Sequence, residues 1–108
     1  MTVGIARLTL FIADSHSLKE KRMVLRRVKD RVRQKFNVAI AEVEENDLWQ
    51  RAVLGMAVVG NDRRFVDSAL DEIIRFVRGQ AEVTSAEREV QSFSDALAEN
   101  DFGLKVDP

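Results

Sequence analysis

Apolar and polar positions alternate from Thr2 to Ala13, with Leu8, Leu10 and Ile12 on one side of an extended chain and Arg7, Thr9 and Phe11 on the other. That period predicts a first strand. Asp14-Ser15-His16-Ser17 breaks it, and Ser17-Leu18-Lys19-Glu20 matches a capping box, so a helix is expected to begin at Leu18. Leu18, Leu25, Val28, Val32 and Phe36, supported by Val24, then recur at helical spacing as one apolar stripe. Asn37 suits a left-handed helix end, and Val38 to Glu44 reads as a second strand. An acidic turn, Glu45-Asn46-Asp47, and Leu48-Trp49-Gln50 precede a third strand, Arg51 to Gly60, which is apolar on both faces and therefore central or covered on both sides. Gly60-Asn61-Asp62 supplies a turn and an N-cap. Arg63 to Arg78 is a second amphipathic helix turning Phe65, Val66, Ala69, Leu70, Ile73, Ile74 and Val77 inward, with Gly79 as its stop. A fourth strand is expected between Ala81 and Phe93.

The order βαββαβ is the ferredoxin-like α+β pattern, a four-stranded antiparallel sheet with two helices on one face. Residues 1–93 are expected to form this domain, followed by an acidic C-terminal tail at 94–108. The opposite sheet face is mixed rather than polar, since one side of the third strand must point away from the helices beside Ile5 and Phe11. Patches of that kind mark interfaces. Self-association through this face or through a sheet edge is expected, giving a homodimer.

Charge changes the picture at one place. The segment His16 to Phe36 carries nine of the seventeen Lys and Arg residues against Glu20 and Asp30 alone. The net charge of the whole chain is −1, so this helix is a positive side on a nearly neutral molecule. With no cysteine and one histidine, disulfides, thiolate or imidazole metal centres and a Cys nucleophile are excluded, and neither a metal nor a cofactor is expected. No apolar run is long enough to span a membrane and the N-terminal stretch lacks the pattern of a signal peptide, so the expected location is the cytoplasm.

Ser17-Leu18-Lys19-Glu20-Lys21-Arg22, the junction Phe36-Asn37-Val38, Ala41-Glu42 and Asp47-Leu48-Trp49-Gln50-Arg51-Ala52 resemble the recurring pattern of the YlxP-like family, a bacterial domain of unknown function. The resemblance covers roughly residues 3 to 92. It implies a ferredoxin-like fold and dimers, and no established activity. Genes of that family often neighbour translation factors and ribosome-binding factor A, which implies RNA or ribosome work by association. Ala39 stands where relatives often carry Ser, and the acidic extension is not part of the family pattern.

The cationic helix gives the first functional expectation: a non-enzymatic protein that binds RNA or a ribosomal surface through Lys19, Lys21, Arg22, Arg26, Arg27, Lys29 and Arg33. The bland alternative is a solvated helix whose long stems cover apolar edges. An RNA-recognition motif of the same βαββαβ order stacks bases on aromatics of its central strands, but Arg51 to Gly60 contains none, so the sheet centre is not expected to read bases. Asp14, Ser15, His16 and Ser17 have the residue types of a hydrolytic triad at a spacing that cannot orient them, and capping explains them better. The amides of that turn are a potential anion site. Glu42, Glu44, Glu45 and Asp47 read as a solvated strand end rather than a hard-metal site, with Glu42 and Glu44 on one strand face. Trp49 fits either a core anchor or an interface hot spot, and Phe11 on the open sheet face is the other candidate interface residue. The competing function is a homodimeric protein-interaction or regulatory domain without nucleic-acid binding, working through the sheet face and Trp49.

Overall fold

In the computed structural model, which describes residues 1–93, the chain runs β1 (Thr2–Phe11), α1 (Leu18–Lys35), β2 (Ala39–Glu44), β3 (Arg51–Gly60), α2 (Arg63–Arg78) and β4 (Glu82–Ser92). The strands form one antiparallel sheet in the order β2-β3-β1-β4. This is the ferredoxin-like arrangement that the hydrophobic periods predict. The acidic segment 94–108 lies outside the described residues.

Alternation decides which side of the sheet is dry. Ala6, Leu8 and Leu10 of β1 and Ala52, Leu54, Met56 and Val58 of β3 are buried together with Leu25, Val28 and Val32 of α1 and Val66, Leu70, Ile73 and Val77 of α2. Each large aliphatic side chain buried there contributes roughly 1.5–3 kcal/mol. The close seat of α2 on β1 requires Gly4, because a Cβ at that position would lie 2.4 Å from Cγ1 of Val66.

The helix ends follow local chemistry, with two departures from expectation. Glu20 N–H donates to Ser17 Oγ at 3.1 Å, and the Glu20 carboxylate reaches one residue past the cap to accept from His16 N–H at 2.6 Å. At the other end Phe36 is extended, and Asn37 does not take the left-handed conformation expected of it. Phe36 instead anchors the exit by packing on the core and meeting Phe76 edge to face at 5.6 Å, so the chain enters β2 without a reversal. Gly79 ends α2 as expected, as its C-cap in a right-handed conformation.

A register shift in β2 separates two residues that simple alternation puts together. Glu42 pairs with Leu54 while Glu44 pairs with Val53, so a bulge lies between them. Glu42 consequently turns under α1 and Glu44 turns to the open sheet face. Glu42 therefore leaves the solvated strand end expected of it, while Glu44, the last residue of β2, stays half exposed there.

Glu42 meets Lys21, which is only 1% exposed. Lys21 continues the stripe of Leu25, Val28 and Val32 at helical spacing. Its ammonium lies 2.8 Å from Glu42 Oε2 and donates to the carbonyl oxygen of Glu45 at 2.8 Å. Removing an ammonium from water costs several kcal/mol unless partners replace the hydration, and here both replacements come from β2 and the loop after it. Glu42→Ala is therefore expected to lower stability by about 3 kcal/mol in urea unfolding, whereas the double replacement Lys21→Met with Glu42→Leu recovers most of that loss. A Glu42→Ala protein within about 0.5 kcal/mol of the parent would contradict this assignment.

Candidate nucleic-acid interface

The outer surface of α1 carries two rows of cations on opposite flanks. Lys19, Arg22, Arg26, Lys29 and Arg33 follow one another at three- and four-residue steps and form a single ridge on the flank nearer β2. Arg27 and Arg31 lie on the flank nearer α2, and Met23 and Asp30 occupy the crown between. Of the seven cations that the sequence singles out, six therefore reach the surface. Lys21 is the exception: its stripe position turns it inward, so it is removed from the candidate interface.

Arg33 is partly committed. Its guanidinium donates to the Ile40 carbonyl at 2.8 Å and lies 3.7 Å from Asp30. Among the described residues no carboxylate lies within 4.0 Å of the charged groups of Lys19, Arg22, Arg26, Arg27, Lys29 or Arg31. Lys35, which the residue pattern does not single out, turns instead over the Phe76 ring at 4.7 Å.

The cations of the sheet are matched, whereas Arg63, Arg64, Arg75 and Arg78 of α2 have no carboxylate within 4.0 Å among the described residues. Arg7, at the centre of the open sheet face, bridges Glu44 at 2.8 Å and Glu87 at 3.0 Å. Hydrogen bonds to Glu87 and then to Glu44 raise its pKa above the ordinary arginine value. Arg51 pairs with Glu45 at 2.7 Å, and Arg88 of β4 pairs with Asp67 and Asp71 of α2. The helix ridge is thus where cations without internal compensation stand in one continuous line, while those of α2 sit in pairs at its two ends.

The open sheet face and its edges differ. On the face, Ile5 is 48% exposed and Val59 60%, with Val43 packed over Gly55 beside them. At the edges guanidinium groups occupy strand carbonyls: Arg33 on Ile40 of β2, and Arg63 and Arg78 on Val90 and Val83 of β4. Such capping blunts edge-to-edge pairing.

At the end of the sheet nearest the start of α1, an open groove of about 780 Å³ is lined by Phe11, His16, Asp47, Trp49, Gln50 and Arg51, with Leu48 beside them. Trp49 is 55% exposed and Phe11 41%, so Trp49 is not a core anchor, and the structure brings these two aromatics to one site. The loop that carries Trp49 is held at several points. Glu45, the one described non-glycine residue with positive φ (58°), has its carbonyl bound by Lys21 and by Leu48 N–H. Gln50 accepts from Ile12 N–H at 2.8 Å through its backbone and donates to the Ala13 carbonyl at 2.9 Å through its side chain. Among the described residues no cluster of three or more His, Cys, Asp or Glu side chains is placed to hold a metal, and no helix is long and apolar enough to cross a membrane.

These features define a ferredoxin-like α+β domain. A de novo designed protein with the ferredoxin fold is similar to it at a TM-score of 0.50 and 16% identity, over 86% of this chain and 87% of its own. The crystal structure of a putative chlorite dismutase is similar at a TM-score of 0.51 and 10% identity, over 98% of this chain and 50% of that one. Both likenesses are of fold alone. Residues 3–90 match the family model described as "Protein of unknown function (DUF503)", and the chain belongs to that family. It is 40% identical over 81 residues to the uncharacterized protein YlxP of Bacillus subtilis (strain 168), covering 75% of this chain and 88% of that one.

Proposed function

We propose that this is a non-enzymatic, cytoplasmic protein that binds structured RNA, on its own or in the ribosome, through the outer surface of α1. One observation carries the reading: Lys19, Arg22, Arg26 and Lys29 stand in line along one flank without a carboxylate among the described residues, while Arg7, Arg51 and Arg88 are each neutralised. Ten residues of helix span about 15 Å. A nucleic-acid strand carries a phosphate roughly every 3.4 Å of duplex axis, so four side chains meet about four phosphates. The second row, Arg27 and Arg31, suits a partner with two phosphate rows. A convex helix with cationic flanks fits the wide, shallow minor groove of A-form RNA between them.

Anisotropy of a labelled RNA duplex across a salt series tests the ridge. The logarithm of affinity is expected to fall with the logarithm of salt at a slope of about −3 to −4, and Arg22→Ala with Arg26→Ala is expected to bring that slope nearer zero by about 2. No binding at 50 mM salt, or a slope unchanged by the double replacement, would refute it.

The open sheet face supports a second, compatible reading, that two copies associate face to face. Ile5, Val43 and Val59 are exposed together there, while both edges are capped. A dimer would also double the cationic surface. Sedimentation equilibrium is expected to give a dimer for the parent and a folded monomer for Ile5→Glu with Val59→Glu; a parent that remains monomeric at about 100 µM, on the order of a weak dissociation constant, would exclude this arrangement.

A further inference from the structure

We infer that the groove between Phe11 and Trp49 receives an unpaired nucleobase of the RNA whose phosphates run along α1. The inference rests on the RNA-binding reading of α1 and extends it from phosphate contact to base contact.

Three observations converge on this occupant. The first is the platform itself: a tryptophan more than half exposed, with Phe11 lining the same groove, in water where an indole gains nothing by standing open. An aromatic π-face takes any base by stacking, at about 1–3 kcal/mol per base. The second is rigidity. Lys21, Leu48, Ile12 and Gln50 fix the loop through the four hydrogen bonds described above, so the backbone on either side of Trp49 is set before the ligand arrives. The third is adjacency to the ridge. The groove begins at His16, two residues before the first turn of α1, and that turn leads directly into Lys19 and Arg22 of the ridge.

The polar lining narrows the chemistry. Asp47 offers carboxylate oxygens, and Gln50, whose amide nitrogen is committed to Ala13, keeps its side-chain oxygen as an acceptor. Arg51, the strongest donor in the groove, is engaged by Glu45. Acceptors on the rim favour bases with an exocyclic amino group, which adenine, guanine and cytosine have and uracil lacks. This mode differs from that of an RNA-recognition motif: the base sits at the end of the sheet, against a loop tryptophan, and not on the two central strands.

The partner class is therefore a duplex RNA with an adjacent unpaired, amino-bearing base, as at a bulge or an overhang. Trp49 is the only tryptophan of the chain, so its fluorescence reports on the groove alone. Three RNAs of one duplex sequence separate the claims: blunt-ended, with a two-nucleotide adenosine overhang, and with an abasic overhang of equal charge. The adenosine overhang is expected to bind about 10-fold more tightly than the abasic one, as a stack of roughly 1.4 kcal/mol requires, and to quench Trp49. Trp49→Ala, a replacement at an exposed site, is expected to abolish the difference while leaving blunt-duplex affinity unchanged, and Trp49→Phe to keep most of it. Equal affinity for the two overhangs with unaltered Trp49 emission, while anisotropy still reports duplex binding, would overturn the groove assignment and leave the ridge intact. Absence of binding to all three RNAs would overturn both. Trp49 emission that changes with protein concentration in the absence of RNA, together with loss of self-association in Trp49→Ala, would make the groove a contact between copies and likewise overturn the proposal.

Discussion

The contact between the Lys21 ammonium, the Glu42 carboxylate and the Glu45 carbonyl is the constraint on which the rest of the molecule depends. It joins three elements, α1, β2 and the loop after β2, at a point where the lysine is buried. A buried ammonium with partners removed is far worse than no ammonium at all, so the geometry around it is tightly bounded. The bulge that turns Glu42 inward, the left-handed backbone at Glu45 and the seating of α1 against the edge strand all meet at this contact. From the same loop Trp49 is presented, so an interaction with no functional group of its own fixes the position of the most distinctive side chain on the surface.

Around that anchor the charges are distributed unevenly. The sheet neutralises its cations locally, with Arg7 held by two carboxylates and Arg88 by two more. On α1, cations at three- and four-residue spacing repel one another by a few tenths of a kcal/mol per pair, a cost that the buried stripe and the cap at Ser17 easily exceed. The helix therefore folds in spite of its surface charge, and an anionic partner removes the repulsion. A row of phosphates is the anionic partner proposed for it.

Much of this architecture is legible in the residue pattern because the governing forces are local and periodic. The start of α1 at Leu18, the extent of β3 and of α2, and the division of β1 into a buried and an open face follow from alternation, helical spacing and caps. What the pattern does not yield depends on a single tertiary contact or a single backbone irregularity. Alternation assigns Glu42 and Glu44 to one face, because a bulge has no strong signature in Val43-Glu44-Glu45. Lys21 reads as a surface cation because its charge outweighs its position, although its spacing from Leu25, Val28 and Val32 already places it on the buried stripe. Asn37 is chemically suited to a left-handed turn that the path into β2 does not require. For the candidate site, the ridge is readable as a charge surplus, while the grouping of Phe11, His16 and Trp49 requires the sheet to close and is visible only in three dimensions.

The central claim is that one continuous surface, the α1 ridge and the groove at its N-terminal end, meets RNA. Its most direct test is chemical-shift mapping of the isotope-labelled full-length protein titrated with an RNA hairpin that carries an unpaired adenosine beside its stem. The account predicts that perturbations concentrate on Lys19, Arg22, Arg26, Lys29 and the Trp49 indole N–H, and that the open-face residues Ile5 and Val59 are unmoved by RNA. Perturbations confined to the open sheet face, or absent at saturating RNA and low salt, would contradict it.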